Sequence, residues 1–397
     1  VAEPKDDQEK GSFNVLFDHQ IFDNQRFGGI SRYYAELVEQ FRSGHEVRPL
    51  LGMGFSSNHY LINSKFKDVY TDPNRFCLGV KQTIDTIGNS RLTGSTKVNG
   101  ALRILSRNRQ LSLKALHKEK FNIFHPTYYD PYFLPHLQGR PFVLTIYDMI
   151  HERFPKGEKE DPTAANKRAL GERADIIIAI SESTKRDIIE LLGISPNTIK
   201  VTYLAGSLPV PVSSVPIDGM PKKYILYVGH RGWYKNFNFM LESLDNIFER
   251  YPDVHLVSVG GDPFNELEQS LIDRSKGKGR IKHLYASDRQ LAQLYANALV
   301  YINPSKYEGF GIPVLEAMSC GCPALISNVT SLPEVGGSAA HYFDPTDHRS
   351  LQEAIYPLID DDEVRRKARE KGLEQAARFT WDKTAEETAT IYRSLAR

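Results

Sequence analysis

This chain of 397 residues has few cysteines, no charge excess and no long apolar run. Its three cysteines, Cys77, Cys320 and Cys322, are an odd and sparse set, which excludes a disulfide-stapled scaffold and points to a reducing compartment. Cys320 and Cys322 have no second Cys or His pair at zinc-ligand spacing, so they read as packing residues and no metal is expected. Lys and Arg number 50 against 49 Asp and Glu, a formal charge of +1, which removes the polyelectrolyte signature of nucleic-acid binding. No apolar stretch reaches membrane-spanning length and none reads as a secretory leader, so the expected location is the cytoplasm. The polar start, residues 1–12, reads as a tail. The length is ample for two hydrophobic cores.

What is present is an alternation of apolar strand-like runs with amphipathic helical stretches. Runs at 14–18, 45–51, 121–125, 141–148, 174–181 and 199–204 predict one doubly wound parallel sheet, with the first followed by a Gly turn and a helix from Gly28. A helix after Ser181 is expected to end at Gly193. Residues 208–222 are rich in Pro and Ser and read as a linker. A second series follows at 224–229, 255–261, 281–285, 298–304 and 323–327.

Two stretches carry chemistry. In 224–238 a strand ends at Gly229, a loop then brings Arg231 and Lys235, and Asn236 is a candidate helix N-cap. Cations beyond a strand's C-terminal edge suit a diphosphate. In 305–322 Glu308 and Glu316 stand eight apart around a turn containing Gly309, Phe310 and Gly311, with Pro313 suited to the first helical turn. Such a helix start can hold an anion while the carboxylates accept from hydroxyls, and a nucleotide sugar offers both. Either feature alone is equally readable as a solvated surface. Their combination is what points to a site.

On GGISRY (28–33), VGHRGWYKN (228–236), the Glu308 turn with its E-x7-E pair and the closing FTWDKTAEETATIYRSL (379–395), the chain resembles the retaining glycosyltransferases of family 4 with the GT-B fold. The resemblance covers nearly the whole chain. It implies an α/β architecture of two Rossmann-like domains facing across a cleft. Residues 1–207 would bind acceptor, 223–379 would bind donor, and a C-terminal helix at 380–397 would pack back on the first domain through Trp381 and Tyr392.

It also implies roles. Arg231 and Lys235 would contact the diphosphate, and Glu316 would accept from the ribose. Glu308 with the backbone of Gly309, Phe310 and Gly311 would hold the sugar, and Val314 and Leu315 would start the helix near the phosphates. Gly229 ends the strand below. Asp288, a candidate N-cap, would border the base, while Gly28 and Gly29 would let backbone approach the diphosphate. On the acceptor side Tyr147 stands where relatives often carry His, Asp148 is retained, and His125 is an alternative at the same sheet edge, divided evenly between a structural and a functional reading. Tyr128, Tyr129, Asp130 and His151 could equally line that pocket.

The reading is a metal-independent hexosyltransferase needing no cofactor, with GDP-mannose first and UDP-glucose next as donor. The acceptor would be a glycan or lipid-linked glycan in polysaccharide or O-antigen assembly. A non-catalytic nucleotide-sugar-binding subunit and a nucleotide-sugar epimerase are the alternatives. Residues 97–120 carry seven Lys or Arg against Glu119 alone, interleaved with leucines. That pattern fits either an ordinary surface helix, the favoured reading, or peripheral contact with an anionic inner-membrane face.

Overall fold

The computed structural model describes residues 13–64, 107–155, 161–208, 217 and 219–396. Cys77, the tail, residues 97–106 of the basic stretch and most of the expected linker lie outside them. The chain divides into two compact units. The first comprises Val1–Ala179, Asp187–Thr202 and Trp381–Arg397; the second comprises Ile180–Arg186 and Tyr203–Thr380.

Unit 1 contains β1 (Phe13–Phe17), β2 (Val47–Leu51), β3 (Ile123–His125), β4 (Val143–Ile146), β5 (Ile176–Ala179) and β6 (Ile199–Val201). They form two parallel groups, β2-β1-β3 and β4-β5-β6, joined by a single parallel bridge between Phe124 and Phe142. Residues such as Val15, Phe17, Ile123, Leu144 and Ile177 are fully buried, as expected where helices cover both faces. The helix Gly29–Gly44 presents Tyr33, Tyr34, Leu37, Val38 and Phe41 to the core at helical spacing. The closing helix Trp381–Leu395 packs on it: Trp381 meets Tyr33, and Tyr392 is enclosed by Phe13, Phe41 and His125. Ala385 and Ala389 are fully buried on the same face, where small side chains permit close approach.

Unit 2 contains β7 (Lys223–Val228), β8 (Val254–Val259), β9 (Ile281–Leu284), β10 (Val300–Asn303), β11 (Ala324–Ser327) and β12 (His341–Phe343). The six are parallel in the order β12-β11-β10-β7-β8-β9. β12, three residues long and only partly buried, was not among the expected strands. Its hydrophobic core gathers Ile225, Tyr227, Phe237, Met240, Leu256, Val300, Leu325, Leu351 and Ile355. Cys320 and Cys322 are buried free thiols within this unit, and burial pushes the Cys320 thiol up to about 11.

Two local expectations are corrected. Asn236 precedes the helix Phe237–Ser243 but does not cap it, because φ is +58° there and its amide donates instead to the Pro345 carbonyl. Asp288 is the first helical residue; the cap is Ser287, which forms a reciprocal capping box with Gln290. The basic stretch is helical over 107–118, with Asn108, Ser112 and Leu116 buried and its Arg and Lys residues exposed.

Candidate functional site

In an open parallel sheet, ligands bind beyond the strands' carboxyl ends where neighbouring strands send their connections to opposite sides. Unit 2 has one such point, between β7 and β10. From β7 the chain runs on to β8 and β9; from β10 it runs to β11 and β12. The loops leaving these two strands carry Lys235 and Glu308. Lys235 Nζ donates to both carboxylate oxygens of Glu308, at 2.8 and 2.9 Å. Glu308 also accepts from Ser305 Oγ at 2.7 Å and Asn303 Nδ2 at 3.3 Å, and its own N–H donates to Thr330 Oγ1. Burial acts to raise the Glu308 carboxyl, but the Lys235 charge and these hydrogen bonds outweigh it and hold the group below its ordinary range.

The turn that follows is rigid. Ser331 Oγ donates to the carbonyls of Glu308 and Phe310, Ser181 and Thr184 hydroxyls donate to the Gly309 carbonyl, and Phe310 packs against Tyr203 and Phe379. Gly311 precedes the helix Ile312–Ser319 with φ +110°, and a Cβ there would lie 2.9 Å from Leu332 Cδ2. Both facts require glycine. Pro313 sits in the first turn, where no donor is lost. Val314 and Leu315 are core side chains, so only their backbone could face a ligand, and the Val314 N–H already donates to the Gly311 carbonyl. Glu316 is buried on this helix, one turn beyond its start. Gly229, with φ +133°, ends β7 with its N–H on the Val259 carbonyl.

Arg231 is not where the sequence puts it. Its guanidinium turns inward, donating to Glu268 Oε1 at 3.0 Å and to the carbonyls of Gly260, Asp262 and Pro263, over the rings of Phe264 and Phe237. The Arg231 and Glu268 side chains are 5% and 3% exposed. Arg231 thus fastens the loop after β8, and Lys235 is the cation at the crevice.

Unit 1 has an equivalent switch point between β1 and β3, whose connections also diverge. Gly28 caps the helix Gly29–Gly44, its carbonyl accepting from Ser31 Oγ and the Arg32 N–H; a Cβ on Gly28 would fall 2.3 Å from Gln25 Oε1. His125 is corrected outright. It is fully buried inside the unit, with Nδ1 2.5 Å from the Tyr392 hydroxyl and Nε2 2.9 Å from Thr145 Oγ1, and burial drives it down to about 3. It is a core histidine. Tyr147 is likewise buried, edge-on to Tyr33 and Tyr34. Tyr129 is buried too, its hydroxyl accepting the Tyr147 N–H, whereas Tyr128 is half-buried beside it.

Asp148 keeps a quarter of its side chain exposed, and its Oδ1 accepts the Ile150 N–H. Behind it lies Lys167, fully buried, donating to the Asp148 carbonyl and to Glu152 Oε2, both at 2.9 Å. His151 Nε2 is 3.4 Å from Asp161 Oδ2. Asp130 is exposed and pairs with Arg109 at 3.1 Å. Sequence reading missed Asp18, His19, Gln20, Arg109 and Lys167. The strand-end rule that singled out His125 applies equally to His19, just past β1, and could have found it; nothing in sequence marks Arg109 or Lys167.

Comparison with known proteins agrees with this architecture. Residues 27–205 match the Glycosyltransferase Family 4 model and 217–375 match the model for Glycosyl transferases group 1. The chain is 31% identical to O-antigen chain mannosyltransferase B of Escherichia coli, over 92% of this chain and 96% of that one. It is 32% identical to the serotype-specific mannosyltransferase WbdA of Escherichia coli over 60% of this chain, but only 32% of that longer protein. Among solved structures, sucrose-phosphate synthase from Thermosynechococcus elongatus superposes with TM-score 0.70 at 18% identity, covering 97% of this chain and 99% of that one. Anabaena HepE in complex with UDP and glucose gives 0.68 at 17%, covering 96% and 100%. Parallel sheets of this order, with O-antigen chain mannosyltransferase B matched almost end to end, make the chain a glycosyltransferase of family 4 with the GT-B fold.

Proposed function

We propose that the chain transfers a hexose from a nucleoside-diphosphate sugar to a hydroxyl of a growing glycan, with retention at the anomeric carbon and without a metal. The observation that carries this reading is the Lys235–Glu308 pair at the switch point of unit 2. A diphosphate entering there meets a lysine charge, the Gly-rich turn and the start of the helix Ile312–Ser319, while Glu308 is oriented to accept from sugar hydroxyls. As the bond between the anomeric carbon and the phosphate oxygen breaks, Lys235 stabilises the charge growing on the leaving group. The acceptor oxygen bonds to the same carbon and gives its proton to the departing phosphate oxygen, so no protein base is required. The core position of His125 supports that economy. GDP-mannose is the first candidate donor, since the relatives are named mannosyltransferases, and UDP-glucose the second, since HepE holds UDP and glucose. Their names also favour a glycan or lipid-linked glycan acceptor in O-antigen or polysaccharide assembly.

The site of action would be the cytoplasm, with optional contact at the inner membrane face through the exposed basic side of helix 107–118. No helix among the described residues is long and apolar enough to cross a membrane. Calorimetric titration of metal-free protein with GDP, UDP, ADP and dTDP, followed by sugar release from the matching donors with EDTA present, tests the reading. Selective binding of one nucleotide with release from its sugar supports it. Binding without release under any acceptor condition favours a non-catalytic subunit, and no binding overturns the donor site.

A further inference from the structure

The switch point of unit 1 is built from a buried polar network that the transfer step just described does not use. Asp18, fully buried after β1, accepts from the Thr127 N–H at 2.9 Å, Thr127 Oγ1 at 2.7 Å, the Tyr132 hydroxyl at 3.1 Å and Gln20 Nε2 at 2.8 Å. Gln20, so fixed, grips the main chain of Asp130 from both sides: its Oε1 accepts the Asp130 N–H at 2.7 Å and its Nε2 donates to the Asp130 carbonyl at 3.1 Å. The Asp130 carboxylate is held in turn, Oδ1 by the Tyr132 N–H and Oδ2 by Arg109, whose guanidinium lies over the Tyr132 ring. Arg109 and Asp130 are each about half exposed.

His19 belongs to the same cluster, its ring edge-on to Tyr132. Its Nδ1 is 2.7 Å from Ser112 Oγ, and that hydroxyl gives its only proton to the Gly52 carbonyl at 2.5 Å. Nδ1 must therefore be the protonated nitrogen, which leaves Nε2 as a lone-pair acceptor in the neutral ring.

We propose that His19, Arg109 and Asp130 form the subsite that holds a neutral, hydroxyl-rich sugar residue of the acceptor; this rests on the reading of the chain as a transferase that draws on a nucleotide sugar bound in unit 2. Arg109 supplies donors, Asp130 and His19 Nε2 supply acceptors, and a polyol needs both. The ligand is neutral because Asp130 balances Arg109 and the buried carboxylate of Asp18 stands behind them, so a phosphate or uronate would meet net negative charge. Bracing of helix 107–118 does not explain the arrangement. Asn108, which donates to Asp23 and to the Phe55 carbonyl, already supplies that, together with Ser112 and buried Leu116. A half-exposed ion pair by itself stabilises a fold by about 1 kcal/mol at most, yet a chain of buried polar side chains orients this one.

The test uses the full chain and saturation-transfer NMR with methyl α-D-mannopyranoside and methyl α-D-glucopyranoside, glucuronate as the charged comparator, and calorimetric nucleotide titration in parallel. The parent should bind at least one neutral glycoside and not glucuronate. Asp130→Asn, Arg109→Met and His19→Gln should each weaken glycoside binding about tenfold or more, the worth of a hydrogen bond to a fixed polar group, with nucleotide affinity kept. Lys114→Met, exposed on the same helix, should bind as the parent does. Equal glycoside binding in parent and variants overturns the proposal, as does a parent that binds nucleotide but no neutral glycoside. A parent that binds glycoside but no nucleotide sinks the donor reading and leaves this subsite standing. Should His19→Gln fail to fold, Arg109→Met, altered at a half-exposed side chain, decides.

Discussion

Lys235 and Glu308, 73 residues apart in the chain, meet end to end, with the ammonium nitrogen 2.8 and 2.9 Å from the two carboxylate oxygens. Each comes from a loop leaving one of the two central strands of the second sheet, so the pair marks the point where those loops part.

Replacing either member should abolish most turnover. For Lys235→Ala the expected loss of kcat is about 10²-fold or more, the cost of removing a preorganised group from a developing charge. Glu308→Gln should raise the donor KM as well. Product-release kinetics at saturating donor separate the two effects.

The same pair predicts an acid limb of stability. Glu308 is held below the carboxylate range, so its contribution is present above the unfolded value near 4.5 and is lost as pH falls through the lower folded value. Thermal melts of the parent should decline below about pH 4.5, and Glu308→Gln should flatten that part of the decline.

Asp23 has the opposite sign. Burial pushes its carboxyl up to about 7 against an ordinary 3.8, while Asn108 donates to Oδ1 and Oδ2 has no partner among the described residues. The folded state therefore holds a proton that the unfolded chain has released, and stability falls as pH rises from about 4 to 7 and then levels. Asp23→Asn keeps an acceptor for Asn108 and removes the charge. It should stabilise the protein at pH 8 by roughly 2–4 kcal/mol, and by much less at pH 4, as read by urea unfolding at the two values.

His125 should behave as a structural residue. Tyr392→Phe removes the hydroxyl on His125 Nδ1 and should cost about 1–2 kcal/mol of stability, leaving kcat per folded molecule unchanged. Because burial holds His125 neutral down to about 3 against 6.5 unfolded, the fold loses its contribution as pH falls through that window. His125→Gln should lessen this loss in a melt-versus-pH series. A bell-shaped activity profile that vanished in His125→Gln would contradict the core assignment.

Arg231 should act through the loop it fastens. Glu268→Gln leaves Arg231 its three carbonyl partners but removes its buried counter-charge, and Arg231→Ala leaves the Glu268 carboxylate only the Asn265 N–H and no counter-charge. Breaking a buried pair in this way costs about 3–5 kcal/mol. If Arg231 touched the diphosphate directly, Glu268→Gln would leave nucleotide affinity unchanged while Arg231→Ala destroyed it. The inward geometry predicts that both variants lower affinity together, alongside lowered melting temperature.

Sequence alone was enough for the two sheets, because each strand is a short apolar run bounded by Gly, Pro or polar residues, and that periodicity is local. It was also enough for the Glu308 turn, since Gly311, at φ +110°, and Pro313, in the first helical turn, report backbone conformations that are local to the chain. It missed β12, three residues long with His341 and Tyr342 half-buried and only Phe343 in the core, too short to carry an alternation. Three further features were decided only by tertiary structure: that Arg231 points away from the crevice, that His125 lies inside the core while His19 stands at the sheet edge, and that Arg109 reaches Asp130. Side-chain direction depends on partners distant in sequence. Glu268 draws Arg231 inward and Tyr392 encloses His125, and the packing of helix 107–118 brings Arg109 over Tyr132; no spacing within the chain encodes those meetings.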